Sequence, residues 1–73
     1  MSTKERYRAE IEDAIAKARF SSSKVTVTTE DGAEIYAYPK PEGLIAWGIN
    51  SAETGINVWR GIRRADGEDE AEG

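Results

Sequence analysis

The sequence predicts an α+β fold, with one N-terminal amphipathic helix packed on a four-stranded antiparallel β-meander, and three observations carry that reading. Tyr7, Ile11, Ala14, Ile15 and Ala18 recur at the spacing of one helical face. Residues 24–39 hold two β-rich runs separated by Asp31-Gly32, a preferred hairpin turn pair. In residues 44–50 the large apolar residues Ile45, Trp47 and Ile49 alternate with smaller ones.

The helix is expected over residues 3–19. Ser2 with Glu5 forms a capping box, Thr3 is the alternative cap, and Ala, Glu, Lys and Arg fill most other positions. Its charged residues form a solvated face. Phe20 lies off the apolar stripe and is expected to close the edge of the core, before Ser21, Ser22 and Ser23 make the connection.

A two-residue type I′ turn at Asp31-Gly32 sets the register of the first hairpin, placing Val27 opposite Tyr36 and Val25 opposite Tyr38. On that register Val25, Val27, Tyr36 and Tyr38 form the core face. Thr26, Thr28, Ile35 and Ala37 take the other face. Pro39 and Pro41 end the second strand, since each fixes φ and lacks the N–H that a ladder needs. Ile45, Trp47 and Ile49 then face the helix.

Residues 51–65 are open to two readings. Ala52, Ile56, Trp59 and Ile62 fit a helical spacing, which gives the alternative of a three-stranded sheet with a second, C-terminal helix. Gly55 and Gly61 each cost about 1 kcal/mol in a helix, which favours a strand from Ile56 to Ile62. A loop of Ser51-Ala52-Glu53-Thr54 would set Ile49 against Ile56, Trp47 against Val58 and Ala46 against Trp59. Arg60 would then reach an acid on the helix, such as Glu10 or Asp13. Trp59 falls on the uncovered face, across Ala46 and Gly48.

The chain reads as a single domain over 1–65 followed by a disordered acidic tail over 66–73. The tail holds 5 of the 14 acids and none of the 10 bases, so the net charge of −4 conceals a body of 10 bases against 9 acids, a net of +1. A domain of 73 residues buries only about 60% of its unfolded surface, so a homodimer is a natural supplement. It is expected to pair along the fourth strand, the edge without charge until Arg60. The chain has no Cys and no His, which removes thiol nucleophiles, the usual structural zinc sets and imidazole acid–base chemistry. Gly43 to Gly48 has the spacing of a phosphate loop, but Ile49 and Asn50 stand where Lys and Ser or Thr are required. The expectation is no enzyme activity, no cofactor and no metal, in a cytoplasmic protein with no membrane span.

Function is read from surfaces. The leading expectation is a non-catalytic interaction module, a small regulator or inhibitor, binding a protein partner or itself through Trp59, Leu44, Ile35, Ala46 and Thr28 on the open sheet face. The alternative is a nucleic-acid-binding accessory protein that uses Trp59, Arg60, Arg63 and Arg64, with the acidic tail as competitor. A further alternative is an acidic mimic of nucleic acid. In size and style the chain resembles small accessory proteins of the kind phages encode. No motif carries that resemblance, and no family is identified.

Overall fold

The structure, a computed structural model, describes residues 3–71. It is α+β: helices on one side of a five-stranded antiparallel sheet whose order is that of the chain. The elements are α1 (Thr3–Arg6), α2 (Arg8–Ser21), β1 (Val25–Thr28), β2 (Glu34–Pro39), β3 (Ile45–Asn50), β4 (Asn57–Arg63) and β5 (Asp69–Ala71), with a 3-10 turn at Pro41–Gly43. Ser2, offered as a helix cap, lies outside the described residues. The alternative second helix over 51–65 does not form.

The helix is interrupted where the sequence suggested continuity. Tyr7 leaves helical geometry at φ −110°, ψ 23°, and its hydroxyl donates a 2.5 Å hydrogen bond to Asp31 in the first hairpin turn. Beyond it, Ile11, Ala14, Ile15 and Ala18 are buried as the spacing requires. The helix ends on Ser22, in the left-handed region at φ 54°. Phe20 does not close the core. It is 94% exposed, because its direction from the helix axis is nearly opposite that of the apolar stripe.

The first hairpin differs from expectation by one residue. Asp31 has no positive φ, and the loop is Glu30-Asp31-Gly32, with Gly32 alone at φ +93° and Thr29 N–H donating to Ala33 O at 2.8 Å. This is a three-residue loop closed by a left-handed glycine. Val25 therefore pairs with Ala37, Thr26 with Tyr36 and Val27 with Ile35. A one-residue slip moves a strand's whole side-chain set to the other face. Ile35 and Ala37 are fully buried under the helix, and Tyr36 and Tyr38 lie on the open face. Small Ala37 opposite large Trp47 lets the helix approach closely, whereas two tyrosines there would bury hydroxyls.

The strand reading of 51–65 holds, but its register does not. The β3–β4 loop is residues 52–55, flanked by Ser51 N–H donating to Ile56 O at 2.9 Å, with Gly55 at φ +73° as the last loop residue. This differs by two residues from the expected loop, and a bulge at Val58 adds a third. The odd total turns β4 over. Ile49 faces Trp59, Trp47 faces Gly61 and Ile45 faces Arg63, so Trp59 and Arg63 lie on the helix side and Arg60 on the open face.

The segment expected to be a disordered tail carries β5. Arg64 N–H donates to Glu68 O at 2.7 Å around Ala65-Asp66-Gly67, with Gly67 at φ +93°, so the first hairpin's loop recurs. β5 then pairs Asp69 with Arg63 and Glu70 with Ile62. Strand β4 is thus covered by β5 along Gly61–Arg63, while its stretch from Asn57 to Arg60, within which the dimer was expected to pair, has no second strand beside it among the described residues. The outermost strands are β1 and β5.

Candidate functional site

Of the five residues expected on the open face, the structure gathers two. Thr28 is exposed there, and Ala46 forms part of its floor. Ile35 is at the centre of the core, Trp59 lies against the core on the helix side, and Leu44 precedes β3 in the loop. The parity of the two registers accounts for both inversions. What occupies the face instead is a pair of tyrosines. The Tyr36 and Tyr38 rings stack with centroids 6.3 Å apart and planes 12° from parallel, and Lys24 Nζ lies 5.8 Å from the Tyr36 centroid. Tyr36 lies over Gly48 in the neighbouring strand, whose missing side chain makes room for the phenol. Asn57 Nδ2 donates to Tyr36 Oη at 3.3 Å and to Trp59 O at 3.0 Å, tying the tyrosine to β4 across the intervening glycine.

The arginine patch is divided by the sheet. Arg60 is exposed on the open face, opposite Gly48, and has no ion-pair partner among the described residues. Arg63 is on the helix side and only 14% exposed in its side chain, gripping Glu12 of α2 at 2.6 and 2.9 Å and Asp69 of β5. Its hydrogen bonds with Glu12 and Asp69 hold its pKa above the ordinary arginine value. The arginine that reaches the helix is thus Arg63, not Arg60, and its acid is Glu12. Arg64 is bound to Asp66 at 2.9 Å and Glu70 at 3.2 Å. Lys4 Nζ completes the network 3.1 Å from Asp69, and lies 5.9 Å from the Trp47 and Trp59 ring centroids. Those rings are 6.1 Å apart, and neither indole N–H has an acceptor among the described residues.

This cluster holds β5 in place. Asp66, Asp69 and Glu70, which a competing tail or an acidic mimic would need to present freely, are instead engaged by Arg63, Arg64 and Lys4.

A second polar cluster fixes the first turn. Asp31 accepts hydrogen bonds from the Thr29 hydroxyl, from Tyr7 at 2.5 Å and from Ala33 N–H at 3.3 Å, and Arg6 lies 3.2 Å away. The Thr29 and Tyr7 hydrogen bonds lower its pKa from 3.8 to about 2. The bond to Asp31 in turn raises the pKa of Tyr7 above its ordinary value. A depressed carboxyl contributes stability that is complete above its unfolded pKa and is lost as pH falls through the folded one. Unfolding midpoints measured between about pH 5 and pH 2 are therefore expected to fall in the wild type, and to fall less steeply in Asp31→Asn. Equal slopes would mean that the cluster contributes nothing to folding.

Among the described residues no group of three or more acids is placed to hold a metal ion, and no helix is long and apolar enough to cross a membrane. Comparison of the chain with protein-family models, with curated proteins and with solved structures finds no match.

Proposed function

We propose that the protein is a small non-catalytic interaction module that binds a protein partner through the open face of its sheet. The observation that carries this reading is the stacked Tyr36–Tyr38 pair sharing a face with Arg60, which has no ion-pair partner among the described residues, on a floor of Gly48 and Ala46. Tyr and Arg are over-represented among the residues that dominate binding energy, because each offers a large contact area with a polar end. The face is also pre-organised. Tyr36 is held over Gly48 by Asn57, so little side-chain entropy remains to be lost on binding. Regulation or inhibition of the bound protein is the role such a module would play.

The test is quantitative enrichment from extracts of cells that encode the protein, with wild type compared against Tyr38→Ala and Arg60→Ala. A protein retained by wild type is expected to be reduced about tenfold or more by either substitution, as for a contact worth more than 1.4 kcal/mol. Far-UV circular dichroism should not change, since both side chains are exposed. Equal recovery by all three would remove the reading.

A single-stranded nucleic acid is the second reading, favoured by stacked tyrosines sharing a face with Lys24 and Arg60. Fluorescence anisotropy with a labelled oligonucleotide separates the two. Salt-dependent binding that Tyr38→Ala weakens would support it, and no binding at low salt would eliminate it.

A further inference from the structure

We propose that two copies of the chain pair through β1, joining their sheets into one of ten strands with the two α2 helices side by side above it. The proposal goes beyond the open-face reading and leaves that face uncovered, so failure of either has no bearing on the other.

One edge of the sheet is β1, and the other is β5 together with the stretch of β4 from Asn57 to Arg60 that β5 leaves uncovered, a stretch broken by the bulge at Val58 and carrying Arg60. β5 is three residues long and carries Asp69 and Glu70, so apposing two copies of it would bring acids together. β1 carries Val25, Thr26, Val27 and Thr28, with no charge, proline or bulge. Because Thr29 N–H donates to Ala33 O, antiparallel alternation directs the N–H and C=O of Val25 and Val27 towards β2. Those of Thr26 and Thr28 point out of the sheet. A two-fold axis at Thr26 pairs Thr26 with its copy and Lys24 with Thr28 of the second copy, using every outward group. The same register puts Val25 beside Val27 of the second copy on the helix side, where both valines are only partly buried in the monomer.

The surface above that edge suits the same partner. An open groove between α2 and β1 is lined by Ala16, Lys17, Phe20, Ser21 and Val25, and Phe20 is 94% exposed. The axis makes the two α2 helices antiparallel. Lys17, which lines that groove, then faces the second copy's helix across the axis. An edge with unsatisfied ladder groups and, beside it, an apolar groove with an almost fully exposed phenylalanine match an isologous contact.

Sedimentation equilibrium of the full chain tests this. Wild type is expected at twice the monomer mass of 8.0 kDa. Phe20→Ser and Thr26→Pro, the latter lacking the outward N–H, should each raise the dissociation constant about tenfold or more. Trp47 is 1% exposed, so an unchanged emission spectrum certifies each fold. If Thr26→Pro fails to fold, Phe20→Ser decides alone, since an almost fully exposed side chain supports no core. A folded wild type that stays at monomer mass to millimolar concentration would overturn the proposal. So would a dimer that the folded variants leave intact.

Discussion

Replacing Gly48 by alanine is expected to destabilise the domain by about 2–3 kcal/mol, as overpacking of a well-filled site does. A Cβ at this position would lie inside the Tyr36 phenol and 2.7 Å from the Trp59 carbonyl oxygen. The first contact can be relieved, because a tyrosine hydroxyl is the far end of a side chain. The second cannot. Trp59 O is β4 backbone, and moving it disturbs the Trp59 ring against Trp47 on the opposite side of the sheet. A chain of 73 residues has roughly 4–11 kcal/mol of stability in all, so this is a large fraction. At roughly 4–8 °C per kcal/mol for a domain of this size, the midpoint temperature should fall by roughly 8–24 °C. Gly61→Ala is the graded control. Its Cβ would meet Glu70 O at 3.2 Å, Trp59 Nε1 at 3.3 Å and Trp47 at 3.4 Å, contacts that a shift of a few tenths of an ångström relieves. Urea unfolding followed by tryptophan emission should therefore rank wild type, Gly61→Ala and Gly48→Ala in falling order. Adding Tyr36→Leu to Gly48→Ala should recover only the share due to the ring. Full recovery would show that the backbone contact costs nothing.

Why the sequence reveals the layers of this fold but misplaces its surfaces comes down to parity. The helix stripe at Ile11, Ala14, Ile15 and Ala18 and the β3 stripe at Ile45, Trp47 and Ile49 are periodic within one element, and both are buried as expected. Which faces of β2 and β4 meet them depends on turns, where one residue inverts every assignment. Asp31-Gly32 suits a two-residue turn. Hydrogen bonds from Thr29 and Tyr7 instead draw the Asp31 carboxylate into a three-residue loop, and Tyr7 is 24 residues away in the chain. The β4 inversion comes from the bulge at Val58, because the two-residue shift of the loop that ends at Gly55 preserves the faces, and the bulge leaves no local trace in the sequence. At 66–73 composition misleads differently. Five acids suggest a solvated tail, yet Asp66-Gly67 repeats the Asp31-Gly32 signal, and Arg63 and Arg64 stand where Asp69 and Glu70 can neutralise them. The repeated Asp-Gly pair was the available sign of a second hairpin.

Because Arg63 joins Glu12 of α2 to Asp69 of β5, Arg63→Met is expected to detach β5 while keeping the aliphatic stem that packs under the helix. The guanidinium is the only group that touches both Glu12 and Asp69 among the hydrogen bonds described, and its loss leaves Asp69, 17% exposed in its side chain, with Lys4 alone. Removing one partner of a largely buried charge pair costs about 2–3 kcal/mol when solvent can still reach part of the other. The pH dependence identifies the cause. Hydrogen bonding to Arg63 lowers the pKa of Glu12 below its ordinary 4.5. Partial burial opposes ionisation of Asp69, but hydrogen bonds from Arg63 and Lys4 outweigh it and bring its pKa below 3.8. Both carboxylates therefore stabilise the fold above their unfolded pKa values and lose that contribution as pH falls through the lower, folded ones. In wild type stability should decline with acid below about pH 4, and in Arg63→Met the decline should be shallower because less remains to be lost. Hydrogen exchange supplies the local reading: the β4–β5 ladder, paired from Gly61 to Ala71, should exchange much faster in the variant, while β2–β3 amides keep their protection relative to global unfolding. Protection of β5 equal to wild type would mean that the backbone ladder alone holds the strand and that the arginine only solvates it.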